Sequence, residues 1–280
     1  AVLSPEDALR RTRTVAAAMP RLSVVGIAGP GDPLANPLRT FTTLRLLREQ
    51  APPLRLCIST NGLALPGAVD ELVELGVEHV TITINCVDPE IGTRIYPWIF
   101  WNHRRVFGLA AARILLRQQL LGLDRLVARG VLVKVNSVLI PGVNDRHLPE
   151  VSRLIRDRGA FLHNVMPLIS AAEHGTFFGR MGQREPRPEE LQALQEACAG
   201  DMRLMRHCRQ CRADAIGLLG EDRGAEFMQL PDVGRPELEP LMTPGPAVDL
   251  TEWRADRSVP RQQPEKMNWW RIGLPFLVFL

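Results

Sequence analysis

The sequence predicts an α/β fold, a partial TIM-type (β/α) barrel, and three observations carry that expectation. Short apolar runs rich in β-branched residues recur five times between residues 22 and 168, each followed by a helix-like stretch. The runs lack a polar face, as expected of strands buried on both sides of a parallel sheet with helices outside it. The segments that follow the runs are rich in Gly, Pro, Asn and small hydroxyl residues, the composition of functional loops at the C-terminal ends of barrel strands. A doubly wound sheet is the alternative that periodicity leaves open.

The chain opens on "SPED" at residues 4–7, a Ser N-cap followed by Pro and two acids, which predicts a helix over 4–19. "LSVVGIA" (22–28) is the first strand, a helix follows at 38–50, and "LRLCIST" (54–60) is the second strand. Helix 68–76 leads to strand "VEHVTITIN" (77–85), then a long insertion and a helix rich in Arg and Leu at 107–129. Strand "VLVKVNSVLI" (131–140), helix 146–158, strand "AFLHNVMPL" (160–168) and helix 188–198 complete the repeat. Because the first element is a helix, the repeat is expected to have lost its opening strand and the loop after it.

Three regions are expected: a barrel over 1–200, a cysteine-bearing extension over 201–228, and a disordered Pro-rich linker with an apolar tail over 229–280. Seven prolines between 231 and 266 amid many charges support the last of these. The closing "WWRIGLPFLVFL" is far shorter than the roughly 20 residues a membrane-spanning helix needs. A net charge of +3 with no run of like charges argues against nucleic acid as a partner. Five widely spaced cysteines suit a reducing cytoplasm, and metal or redox chemistry rather than a disulfide framework.

Chemistry is expected at the strand ends. In "GIAGPGDPLANP" (26–37), Gly29 and Gly31 would let backbone N–H groups approach a ligand, and Asp32 could accept from an ammonium or hydroxyl. The loop lacks the spacing of a dinucleotide fingerprint or a P-loop and could equally be a tight turn. Ser59, Thr60 and Asn61 end the second strand, and Thr83 and Asn85 the third. Ile140 to Gly142 would present an apolar ledge to the same mouth. Cys57 and Cys86, each taken alone, are expected to pack as small apolar side chains. His163 and His174 are expected to be structural.

The pair Cys208 and Cys211 in "MRHCRQCRAD" (205–214) is the most specific feature. Neighbouring arginines would lower the thiol pKa values and offset the charge of a thiolate-bound cluster. A thioredoxin-like pair would follow a strand, whereas a helix precedes this one. A structural zinc site would need a second pair, for which only His207 and Cys198 are at hand. An iron–sulfur site with ligands from distant segments fits better, with Cys57 the remote candidate.

The strings "GIAGPGDPLANP", "LCISTNGLALP", "HVTITINCVDPEIG", "IYPWIFWNH", "VKVNSVLIPGVND", "FLHNVMPLIS", "EHGTFFG" and "MRHCRQCRADAIGLLGED" together resemble the radical S-adenosylmethionine (SAM) proteins of nitrogenase cofactor assembly. The resemblance covers roughly residues 1–227. It implies a partial TIM barrel that binds SAM on a [4Fe-4S] cluster. It also implies a lyase-type enzyme that fuses two substrate [4Fe-4S] clusters into an 8Fe core, with a carbide drawn from the SAM methyl group. Carried over by motif, Gly29, Gly31, Asp32, Thr60, Asn61, Thr83 and Ile140 would meet SAM. Cys57 would ligate one substrate cluster, and Cys208 and Cys211 the other. No catalytic base is implied. Iron–sulfur cluster donors and cofactor carrier or scaffold proteins would be the partners, with neither nucleic acid nor membrane involved. The family's C-x3-C-x2-C motif occurs nowhere in these residues, and is expected upstream of Ala1. The 280 residues alone are therefore expected not to cleave SAM. A non-catalytic cluster carrier, and a TIM-like enzyme with a zinc-stapled C-terminus, are the alternative readings.

Overall fold

A computed structural model describes residues 3–19, 22–29, 31–51, 54–200 and 202–204. Helix α1 (Pro5–Ala18) starts where the opening tetrad requires, with the Ser4 hydroxyl accepting from the Asp7 N–H at 3.0 Å. Strands β1 (Val24–Ile27), β2 (Arg55–Thr60) and β3 (Val77–Thr83) alternate with α2 (Pro37–Gln50) and α3 (Leu65–Glu74). After β3 the chain forms α4 (Pro89–Ile95) and an antiparallel hairpin, β4 (Trp98–Trp101) and β5 (Arg104–Phe107). The long helix α5 (Gly108–Ala128) then leads to β6 (Leu132–Leu139), α6 (Leu148–Asp157) and β7 (Leu162–Pro167). Two further helices are α7 (Phe177–Arg180) and α8 (Pro188–Ala199).

The five parallel strands lie in the order β1-β2-β3-β6-β7, each beside the one before it in the main sheet. A doubly wound sheet reverses its strand order at a switch point, and this one does not, so the partial barrel stands. After α8, Leu204 bridges His163 in the parallel sense and Arg203 O accepts from the His163 N–H at 3.0 Å. The sheet therefore gains its next parallel neighbour beyond residue 200. The extension and tail expected over 201–280 otherwise lie outside the described residues.

Side chains alternate across each strand. Ile58, Val80, Ile82, Val133, Val135 and Val165 turn to the helices, where they pack with Leu44 and Leu47 of α2, Leu72 of α3, Leu123 and Leu126 of α5, and Ile155 of α6. At the α3–α5 crossing the backbones come close. A Cβ built on Gly122 would lie 2.6 Å from Leu65 Cδ2 and 2.7 Å from Leu65 Cγ, and Leu65 is fully buried. Alanine normally favours a helix interior over glycine by about 1 kcal/mol. Here the overlap outweighs that gain, and Gly122→Ala is expected to destabilise the fold by about 1–3 kcal/mol. A urea midpoint at or above that of the parent protein would refute this.

Candidate cofactor-binding site

The loops after β1 and β2 are tied together at one carboxylate. Asp32 Oδ1 accepts from the Leu34 N–H at 2.9 Å, which caps the short 3₁₀ turn Pro33–Ala35. The Thr60 hydroxyl lies 3.0 and 2.9 Å from the two Asp32 oxygens, and the Asn61 N–H donates to Oδ2 at 2.6 Å. Burial raises the Asp32 pKa, opposed by the bonds from Asn61, Thr60 and Leu34. Gly29 and Gly31 supply the turn that delivers this carboxylate, with φ of 126° and 85°, where L side chains are strained. Asp32, expected to accept from a ligand, thus accepts from three donors of its own chain.

Gln119 of α5 braces the next two strand ends. Its buried amide donates to Asn61 O at 2.9 Å and to Thr83 O at 2.8 Å. The Asn61 side chain accepts from the Leu63 N–H at 2.8 Å, closing an Asx turn. Asn144 does the same work beyond β6. Its Oδ1 accepts from the Ile140 N–H at 2.8 Å, and its Nδ2 donates to Asn85 O at 3.0 Å and Val138 O at 2.8 Å. Asn85 Oδ1 in turn accepts from the Val138 N–H at 2.9 Å. Ile140, expected to form an apolar ledge, is buried in an apolar cluster with Ile95, Ile99, Leu168 and Phe178.

The face of the sheet turned away from the helices differs from the expectation that both faces are apolar. The alternate positions there carry Cys57, Ser59, His79, Thr81, Thr83, Lys134, Asn136 and Asn164. Ser59, Thr81, Thr83, Asn136 and Asn164 are all buried. Across this face Thr83 pairs in register with Asn136, and Asn136 with Asn164, whose Nδ2 donates to Asn136 Oδ1 at 3.2 Å. Four buried side-chain polar atoms among the described residues have no hydrogen-bond partner, and three of them lie on this face: His79 Nδ1, Thr83 Oγ1 and Asn136 Nδ2. Buried polar groups are normally satisfied, so such a concentration marks a place prepared for a polar ligand.

Cys57 sits on the same face, half-buried, paired in register with His79. Burial holds the His79 pKa down, Arg55 and Lys134 act in the same direction, and Glu78 opposes them. Cys86 and Cys198 differ from Cys57 in kind. Both are buried, and desolvation lifts their thiols to about 12 and about 11, so they pack as apolar side chains. Cys208, Cys211 and His207 lie outside the described residues. His163 is fully buried on the helix-facing side, with Nε2 at 2.9 Å from Ser137 Oγ, which bears out its structural reading. Sequence reasoning did not single out His79, Gln119, Asn136 or Asn144. The alternation of "HVTITIN", with His79, Thr81, Thr83 and Asn85 against Val80, Ile82 and Ile84, could have found the polar face.

The hydroxyl, amide and imidazole groups of the concave face suit a ligand as rich in hydroxyls and nitrogens as SAM. Cys57 aside, they do not by themselves supply the thiolates that hold an iron–sulfur cluster. No group of three or more His, Cys, Asp or Glu able to hold a metal occurs among the described residues. An open parallel barrel with a polar concave face and ligand loops at its strand ends is the architecture of a barrel enzyme, and the Radical SAM superfamily matches residues 1–155. The chain belongs to that superfamily. Within it, 228 residues are 66% identical to the FeMo cofactor biosynthesis protein NifB of Azotobacter vinelandii, covering 81% of this chain and 45% of that protein. The NifB protein of Frankia alni is 54% identical over 266 residues, covering 93% of this chain and 52% of the relative. The chain thus spans about half the length of the curated relatives it matches. No helix among the described residues is long and apolar enough to cross a membrane.

Proposed function

We propose that this chain is the SAM-binding barrel of a NifB-type, lyase-type enzyme working in the cytoplasm on the nitrogenase cofactor. Its reaction fuses two substrate [4Fe-4S] clusters, with a carbide derived from SAM, into the 8Fe precursor of FeMo cofactor. The observation that carries the reading is the polar concave face, with Thr83 Oγ1 and Asn136 Nδ2 buried and unpartnered beside the strand-end loops. SAM, when bound, supplies the carbon. Gly29, Gly31 and Asp32 shape the loop that meets its amino acid portion, while Thr60, Asn61, Thr83 and Ile140 line the rest of the pocket. Cys57 holds one substrate cluster, and Cys208 and Cys211 hold the other. Iron–sulfur cluster donors and cofactor carrier or scaffold proteins are the partners, and neither nucleic acid nor membrane takes part.

The cluster that cleaves SAM needs three cysteine ligands, and these 280 residues contain no C-x3-C-x2-C motif. A direct test joins the three-cysteine segment of the Azotobacter vinelandii relative ahead of Ala1 and reconstitutes the product anaerobically with iron and sulfide. Under dithionite and SAM the extended protein is expected to form 5′-deoxyadenosine, and the 280 residues alone are expected to form none. The proposal fails if the extended protein loads its cluster and still forms no 5′-deoxyadenosine. Formation of the nucleoside by the 280 residues alone would refute the assignment of that step to the added cysteines.

A further inference from the structure

The β4–β5 hairpin carries none of the residues assigned above to SAM or to a cluster. It stands between β3 and α5, and α5 runs back toward the start of β6, so the hairpin lies at the C-terminal mouth of the sheet. Asn102 and His103 form its two-residue turn with φ of 50° and 61°, the left-handed pair that a tight hairpin requires. One face of the ribbon is anchored: Ile99 is fully buried, and Trp101 and Val106 pack against the cluster of Val138, Ile140, Leu168 and Phe178. The register places Trp98 opposite Phe107 and Phe100 opposite Arg105 on the other face. On that face Phe107 is 60% exposed, and the Arg105 guanidinium stacks 4.7 Å from the Trp98 ring centroid.

Charge points to what such a face would meet. Between Glu90 and Asp124 the chain has no acidic residue, yet it carries Arg94, His103, Arg104, Arg105, Arg113 and Arg117. All six are exposed. Several arginines elsewhere have carboxylate neighbours within a few ångströms, as in Arg45–Glu71, Arg129–Asp70, Arg158–Asp124 and Arg184–Glu190. None of the ion pairs among the described residues involves Arg104, Arg105, Arg113 or Arg117. Arg113 and Arg117 share an i, i+4 face of α5, within about 14 Å of the helix start at 1.5 Å per residue. The exposed Phe107 ring, the half-buried Trp98 and Phe100, and guanidiniums without an ion pair therefore cluster at the mouth from which a product held on the concave face would leave.

We infer that the outer face of the β4–β5 hairpin, with Arg105, Phe107 and Arg113 and Arg117 of the first turns of α5, is the docking surface for an acidic protein that receives the product cluster. This rests on the proposed function, which places the product at that mouth. A protein is favoured over nucleic acid because Arg105 shares the face with the exposed Phe107 ring and the half-buried Trp98 and Phe100, and the chain as a whole carries only +3. Charge complementarity of this kind steers the encounter and weakens with salt.

The test measures binding of an acidic nitrogenase cofactor-carrier protein, purified from Azotobacter vinelandii, to the extended protein described above. Arg105→Glu combined with Arg113→Glu is expected to weaken binding about ten-fold or more, and Phe107→Ser several-fold. Arg39→Glu, an exposed charge reversal on α2, should leave it unchanged. Formation of 5′-deoxyadenosine and the thermal midpoint should be the same in all variants. Carrier binding that the double variant leaves intact, or that Arg39→Glu weakens equally, overturns the docking surface while 5′-deoxyadenosine formation upholds the enzyme. Tighter binding of a single-stranded oligonucleotide that competes at the same residues also overturns it. Loss of 5′-deoxyadenosine formation in the unmutated protein would instead overturn the functional reading beneath it.

Discussion

Replacing Asp32 with Ala is expected to lower stability by about 2–4 kcal/mol and to loosen the strand-end loops proposed to meet SAM. The carboxylate serves three donors: the Leu34 N–H, the Thr60 hydroxyl and the Asn61 N–H. Each buried donor left without an acceptor costs about 1–3 kcal/mol. The sum falls short of three full penalties because Asp32 itself is only partly buried, so water can reach part of the vacated space. The Thr60 oxygen still accepts from the Gly62 N–H at 3.1 Å, but its hydroxyl proton loses its acceptor like the other two donors. Asp32→Asn separates charge from connectivity. It retains one acceptor oxygen but turns an NH₂ group toward a donor, so about half the loss is expected. Urea unfolding of the three proteins checks the order: parent, then Asn, then Ala. If Ala and parent share a midpoint, the carboxylate does not tie β1 to β2. SAM affinity should fall in the same order, because the tie spans two strand-end loops 28 residues apart in the chain.

The strands were legible because their apolar runs are short and bounded by turn residues. The expected spans 54–60, 77–85 and 131–140 correspond to Arg55–Thr60, Val77–Thr83 and Leu132–Leu139. The polar concave face was hidden in those same runs. Threonines in "HVTITIN" satisfy β propensity as well as valines do, so a reading by apolar content passes over the polar side chains of the concave face. The hairpin was read only as an insertion, since its turn carries His103 in the left-handed region where a glycine would have announced it. Gln119 lay in a helix that the sequence marks as rich in Arg and Leu, and only the α5 crossing brings its amide to two strand ends. Asn144 shows the opposite case. It sits in a quoted motif, yet the motif names a turn, while the structure makes the same side chain a clasp across β6 and the loop after β3.

Acid should unfold this protein partly through one imidazole. His163 is fully exposed to neither water nor charge: its side chain is buried, and burial brings its pKa from 6.5 down to about 4. The hydrogen bonds fix its tautomer. The Ser137 hydroxyl spends its proton on Ile84 O, so the Ser137 oxygen must accept from His163 Nε2–H. Nδ1 is then the unprotonated nitrogen, and it has no partner among the described residues. Protonation would place a charge on that nitrogen with nothing to receive it. The sign follows from the depressed pKa of a base. Its contribution to stability is fully present above the unfolded value of 6.5 and is lost as pH falls toward the folded value of about 4. At 1.36 kcal/mol per pH unit the whole window is worth about 3 kcal/mol. The urea midpoint is therefore expected to decline between pH 6.5 and 4. His163→Gln, which can still donate to Ser137 but cannot take up a proton, should start less stable at pH 7 and decline less over that window. Parallel pH profiles for the two proteins would show that the acid sensitivity resides elsewhere.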